Sequence, residues 1–179
     1  METVVAFRFL TGTIVALVTA LGASSARTQW RYQFESDDMT GKRIDFAIVE
    51  STKSLKLGFP YQGENRGRLG VRQSPRHGTD VYLEIDKGQF VCGVSECAVL
   101  VRFDEQQPVR FTAVRPADHS STMLFLSPAQ RFIASAKKAS TIRAQANIFQ
   151  EGAPILEFNA TALEWPPKWT KDAPKATKK

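Results

Sequence analysis

The sequence predicts an all-β domain, mainly antiparallel and sandwich or barrel-like, with one short α-helix near residues 128–138. Three observations lead there. Apolar residues alternate with polar ones in many short runs, the period of half-buried strands. Gly, Pro, Asp and Ser divide those runs at short, regular spacing. One segment, after Ser127, changes to the helical period.

The elements follow in order. Trp30-Arg31-Tyr32-Gln33-Phe34 alternates large aromatics with polar residues, and Ser36-Asp37-Asp38 with Thr40-Gly41 ends it. Arg43–Val49 places Ile44, Phe46 and Ile48 on one face. Leu55 and Leu57 lead into the break at Gly58-Phe59-Pro60. Tyr61–Gly78 holds four Gly, one Pro and four Arg, and reads as a long loop or a hairpin with a polar tip. A short strand fits within it at Leu69–Val71. Asp80–Ile85 then alternates, with Val81, Leu83 and Ile85 inward and Tyr82 and Glu84 outward.

Gln89–Phe103 reads as a hairpin closed by Gly93-Val94-Ser95-Glu96, with Cys92 facing Cys97 across it. A directly opposed pair without ladder hydrogen bonds brings Cα atoms within reach of a disulfide. So small a loop adds only about 2 kcal/mol in the chain-entropy account. The bond is therefore expected to fix geometry rather than to make folding possible.

Val109, Phe111 and Ala113 form the next strand, and Met123–Ser127 a short buried one. Ser127-Pro128-Ala129-Gln130 has the form of a capping box, with Ser127 as N-cap and Pro128 at the first helical position. Ala129, Phe132, Ile133 and Ala136 form one apolar stripe, and Lys137 and Lys138 suit the negative end of the helix dipole. Thr141–Ile148 returns to strand, with Ile142, Ala144, Ala146 and Ile148 inward. Pro154–Leu163 is the last strand, and Trp165 closes the edge of the core. That is nine or ten strands and one helix.

Ahead of this domain lies an apolar leader. Phe9–Gly22 carries no charge, Arg8 precedes it, and Ser24-Ser25-Ala26 supplies the small residues of a cleavage site. The run is short of the roughly 20 residues of a membrane-spanning helix. The expected division is a signal peptide over 1–26, one β-rich domain over 27–165, and a disordered basic tail over 166–179. Without cleavage, residues 4–23 would act as a membrane anchor. Either way the chain is expected in the periplasm or outside the cell, where Cys92 and Cys97 can oxidise.

Net charge is +6, and half of it lies between Glu164 and Lys179, where five Lys meet one Glu and one Asp. That tail cannot bury enough apolar surface to order itself. It offers at most a weak attraction to anionic surfaces. With a leader in front, no nucleic-acid partner is expected.

Gly88-Gln89-Phe90-Val91-Cys92, Cys97 and Val101-Arg102-Phe103-Asp104 resemble a group of uncharacterised bacterial envelope proteins. These are small secreted β-domains that open on a Trp-x-Tyr strand and close on a Leu-x-Trp end. Trp30–Tyr32 and Leu163–Trp165 stand at the matching places. The resemblance implies an exported bacterial protein and brings neither an activity nor catalytic residues.

The chemistry is sparse. His77 and His119 are the two histidines, too few for an ordinary zinc site once both Cys are paired, and no cofactor is expected. Asp118-His119-Ser120-Ser121 reads as a polar turn, because neighbours in sequence rarely aim at one reacting atom. Cys92 and Cys97 lack the helix-start setting of a redox pair. Arg66, Arg68, Arg72 and Arg76, with His77, could converge on a phosphate or carboxylate, or stand as solvated charges beside Glu64 and Asp80. The expected role is therefore a non-catalytic binding or accessory protein of the envelope, contacting another protein. The alternatives are a hydrolase-type enzyme with His119 or His77 as general base, and an inhibitor of a cell-wall enzyme.

Overall fold

The computed structural model describes residues 30–93 and 97–168. Nine strands and one helix follow each other as β1 (Arg31–Ser36), β2 (Arg43–Glu50), β3 (Gly67–Ser74), β4 (Gly78–Ile85), β5 (Cys97–Phe103), β6 (Val109–Val114), β7 (Met123–Ser127), α1 (Ala129–Ala136), β8 (Thr141–Gln145) and β9 (Ile155–Asn159). Every pairing is antiparallel, and all nine strands form one sheet in the order β1-β2-β3-β4-β7-β6-β5-β8-β9. The all-β class with one helix is what the alternating pattern predicts.

The sheet curls without closing. Ser51, just past β2, makes one antiparallel bridge to Phe158 in β9. The Thr52 amide donates to the Glu157 carbonyl at 2.7 Å. The last strand thus returns to the second, while β1 runs along β2 as an edge. The inner face carries the core: Val49, Leu69, Val71, Val81, Leu83, Val101, Phe111, Leu124, Ile142 and Phe158 are all buried.

The helix fills the core with the stripe read from the sequence. Phe132, Ile133 and Ala136 are buried, and Ala129 packs against them. The Phe132 ring meets Phe103 and Phe111 edge-on at centroid distances of 5.3 and 5.5 Å. Such edge-to-face pairs add to simple burial because the ring edge is positive and the face negative.

Two expectations are corrected. First, residues 89–92 do not pair with β5. The Phe90 amide donates to Ser121, Val91 to Asn147, and Phe149 to Gln89, all through backbone carbonyls. Strand β5 instead lies between β6 and β8. Local alternation cannot distinguish a hairpin partner from a more distant one.

Second, the capping box does not form. Ser127 is held in β7 opposite Thr112, so Pro128 becomes the N-cap and no side chain caps the helix. Ile44, Phe46 and Ile48 share one face of β2, as their alternation predicts, and it is the outer one; Ala47 and Val49 point to the core. The Arg-rich stretch takes the second of its two expected forms, a hairpin with a polar tip, and its strand is longer than Leu69–Val71. β3 spans Gly67–Ser74 and pairs with β4 over its whole length, leaving only a short polar tip at 75–77.

The leader at 1–26 lies outside the described residues, as do 94–96 and all of the basic tail beyond Lys168. Among the described residues no helix is long and apolar enough to cross a membrane.

Candidate functional site

The outer face of the curled sheet carries a row of apolar side chains that the strand register lines up. Val114 stands opposite Phe125, Phe125 opposite Tyr82, Tyr82 opposite Gly70, and Gly70 opposite Ile48. Gly70 is required by its neighbour: a Cβ there would lie 2.1 Å from Cζ of the Tyr82 ring. The ring therefore lies flat across β3, where any side chain would displace it. Tyr82 is buried although it faces away from the core, and that burial pushes its phenol well above the ordinary tyrosine range. It meets Phe125 edge-on at 6.4 Å.

Beside this row is a cleft of about 440 Å³, walled by the β3–β4 hairpin on one side and the segment after β6 on the other. Phe125 and Val114 form its apolar floor. Val114 is 57% exposed, unusual for a valine in a strand. Arg72, His77, Asp80, Arg115 and Asp118 form the polar rim.

Most of that rim is held in place. The Arg72 guanidinium lies 5.0 Å above the Phe125 ring. Its Nε also donates to Asp80 Oδ2 at 3.1 Å. One cation thus serves an aromatic face and a carboxylate together. Arg115 Nη2 donates to the Phe90 carbonyl at 2.8 Å. Asp118 Oδ1 accepts the Ser120 amide at 2.9 Å and closes a tight turn. His119 sits in that turn with φ +60°, exposed, its amide bonded to the Pro116 carbonyl at 3.0 Å.

The arginine set read from the sequence is dispersed. Arg66 bonds Glu64 at 2.9 Å and the Ser51 carbonyl at 3.1 Å. Arg68 bonds Glu84 at 3.0 Å and Asp86 at 2.5 Å, and these partners raise its pKa further above the neutral range. Arg72 takes Asp80. Arg76 and His77 are exposed at the hairpin tip. Of the five, only Arg72 and His77 reach the cleft. Arg68 on β3 and Arg66 just before it have carboxylate partners beside them.

Cys92 and Cys97 are disulfide-bonded, with Cα atoms 4.3 Å apart. Among the described residues neither histidine side chain has a hydrogen-bond partner, and no group of three or more His, Cys, Asp or Glu is placed to hold a metal. The arrangement suits recognition: an apolar floor, fixed charges around it, and space for a side chain or a short segment.

Sequence reasoning found Arg72 and His77 and missed Val114, Arg115 and Phe125. The missing link is the pairing of β4 with β7, two strands separated by β5 and β6. No local pattern encodes that neighbour.

No family model and no curated protein matches the chain. Among solved structures, the crystal structure of invasion associated protein B from Bartonella henselae is similar at 12% identity. The match covers 73% of this chain and 83% of that one, with a TM-score of 0.44.

Proposed function

We propose that the chain is an exported, non-catalytic binding protein of the bacterial envelope and that it contacts another protein through the cleft on its outer face. The observation that carries this reading is the pairing of an exposed Val114 and a half-buried Phe125 with the fixed rim of Arg72, Asp80, Arg115 and Asp118. An apolar centre inside a polar rim is the anatomy of a protein contact. The rim charges are already set by internal partners, so a ligand meets a shaped surface at little ordering cost. Export is supported by the disulfide, which persists in oxidising compartments.

The test is affinity capture from the native envelope with the wild-type chain and with Val114→Asp. The expected result is a specific partner that the variant loses while its circular dichroism and melting temperature stay unchanged. Equal recovery by both forms would exclude the cleft as the contact. Replacement of His119 by Ala separates this reading from a hydrolase that uses His119 as general base. The binding reading expects partner capture to persist through the change of His119.

A further inference from the structure

We propose that β1 pairs with β1 of a second copy of this chain, in antiparallel register centred on Gln33. Among the described residues, strand β1 is the terminal strand of the sheet, and β2 is its one strand neighbour. An edge strand presents a row of backbone donors and acceptors to any strand of matching register. What selects the partner is the sequence of β1 itself.

Face alternation is fixed by the pairing with β2. Arg31, Gln33 and Glu35 stand opposite Ile48, Phe46 and Ile44, on the outer face. Tyr32 and Phe34 stand opposite Ala47 and Asp45, on the inner face. Two copies that keep their inner faces on the same side can meet only in registers centred on a residue, because opposed residues of an antiparallel pair share a face.

Four such registers are centred on the interior residues of the strand, and the one centred on Glu35 brings only Phe34 and Ser36 together within it. Centred on Tyr32, Arg31 meets Gln33. Centred on Phe34, Glu35 meets Gln33. Centred on Gln33, Arg31 meets Glu35 of the second copy twice, by symmetry, and Tyr32 meets Phe34 twice. That register alone sets opposite charges and two aromatic pairs across the junction, the combinations that stabilise cross-strand neighbours. It requires no change in β1, and either set of outward backbone groups satisfies it, since residues of one parity meet their own parity. Among the described residues neither Arg31 nor Glu35 has an ion-pair partner, so the junction would break none.

The interface is isologous, as two-fold assemblies are. A six-residue strand pair is small, so association is expected in the micromolar range rather than tighter. This inference is independent of the cleft, which lies toward β6 and β7.

Sedimentation velocity on the chain isolated from its host, over rising concentration, gives the first measurement. The expected result is a monomer–dimer equilibrium that Arg31→Glu and Glu35→Arg each weaken at least tenfold, and that the double variant R31E/E35R restores. Restoration excludes misfolding as the cause of the single losses. The second measurement is Gln33→Cys, which places a thiol opposite its own copy and is expected to yield an oxidised dimer; Glu35→Cys is expected to yield little. A chain that stays monomeric throughout overturns the proposal. So does a dimer indifferent to both charge reversals, or one that crosslinks equally through Glu35→Cys, which would assign the contact to another surface.

Discussion

Trp30 Nε1 donates a hydrogen bond to the carbonyl of Ala160 at 2.9 Å, across 130 positions of sequence. Both residues are buried, and the bond ties the entry of β1 to the segment that leaves β9. The Glu164 amide adds a second tie, donating to the Tyr32 hydroxyl at 2.8 Å. These two bonds join the ends of a sheet that does not close through its strands. Trp30→Phe keeps most of the apolar contact and leaves the Ala160 carbonyl unpaired. A loss of about 1–3 kcal/mol is expected, read from the urea midpoint. Trp30→Ala removes the ring as well and is expected to cost about 3–5 kcal/mol. Equal losses for the two variants would show that the hydrogen bond contributes nothing.

Gly70 and Tyr82 form the tightest approach on the outer face. Gly70→Ala forces the phenol ring off β3, and overpacking of this kind costs about 1–3 kcal/mol. Tyr82→Leu alone removes the ring from the site. In the Tyr82→Leu background Gly70→Ala is expected to be nearly neutral, because nothing then occupies the space. The double-mutant cycle reads the coupling directly. Additive losses would mean that Gly70 is needed for some other reason.

How much of this was legible in the sequence depends on the range over which each contact acts. Val81, Leu83 and Ile85 are buried on the side their alternation predicts, and Trp30, Tyr32 and Phe34 share the inner side of β1. The helix stripe is also where the period places it. These signals are local and set by side-chain periodicity. The failures are all matters of partner choice. Ile44, Phe46 and Ile48 share a face as their alternation predicts, but which face of β2 meets the core is set by register, which puts Ala47 and Val49 opposite the buried Val71 and Leu69. Cys92 has the spacing of a hairpin residue, yet Phe90 bonds to Ser121 and Phe90 bridges Ile148. The cleft needs β4 beside β7, which no single stretch reveals.

Asn65 carries no signal in the sequence and is fully buried in the structure. Its side chain reads the backbone of Lys87 twice, donating to the carbonyl at 2.9 Å and accepting from the amide at 3.1 Å. The side-chain amide thus acts as one more rung between the loop before β3 and the turn after β4. Asn65→Ala leaves the Lys87 amide and carbonyl without these part-buried partners and is expected to cost about 1–3 kcal/mol. Asn65→Asp keeps the shape and loses the donor, so an intermediate loss is expected. Thermal melts of the three forms give the ranking, and an alanine variant as stable as the parent would refute the role.

Asp86 links pH to stability. Partial burial works to raise its pKa, but the Arg66 amide at 2.7 Å and the Arg68 guanidinium at 2.5 Å outweigh it, so the carboxyl lies below its ordinary value. A group depressed on folding stabilises the native state above its unfolded pKa of about 3.9. That contribution fades as pH falls through the lower folded value. Asp86→Asn is therefore expected to be less stable than the parent at neutral pH and to show a flatter loss of stability below about pH 4. Parallel acid limbs for the two proteins would remove Asp86 from the account.

The disulfide is the last element that can be removed cleanly. Cys92 and Cys97 are five positions apart, and Cys97 begins β5 while Cys92 ends the segment pinned by Phe90 and Val91. Each arm has its own anchors: β5 lies between β6 and β8, and the Phe90 side chain is buried in the core. The bond therefore fixes where the two arms meet rather than holding either arm in place. Joint replacement of Cys92 and Cys97 by Ala is expected to cost about 2 kcal/mol, the chain-entropy value for so short a loop. Cooperative unfolding and native near-ultraviolet circular dichroism should survive the change. The loss should match that caused by reductant on the parent protein, and reductant should leave the variant unaffected. A variant that fails to fold would mean that the staple, and not the β5 ladder with the Phe90 anchor, organises this side of the sheet.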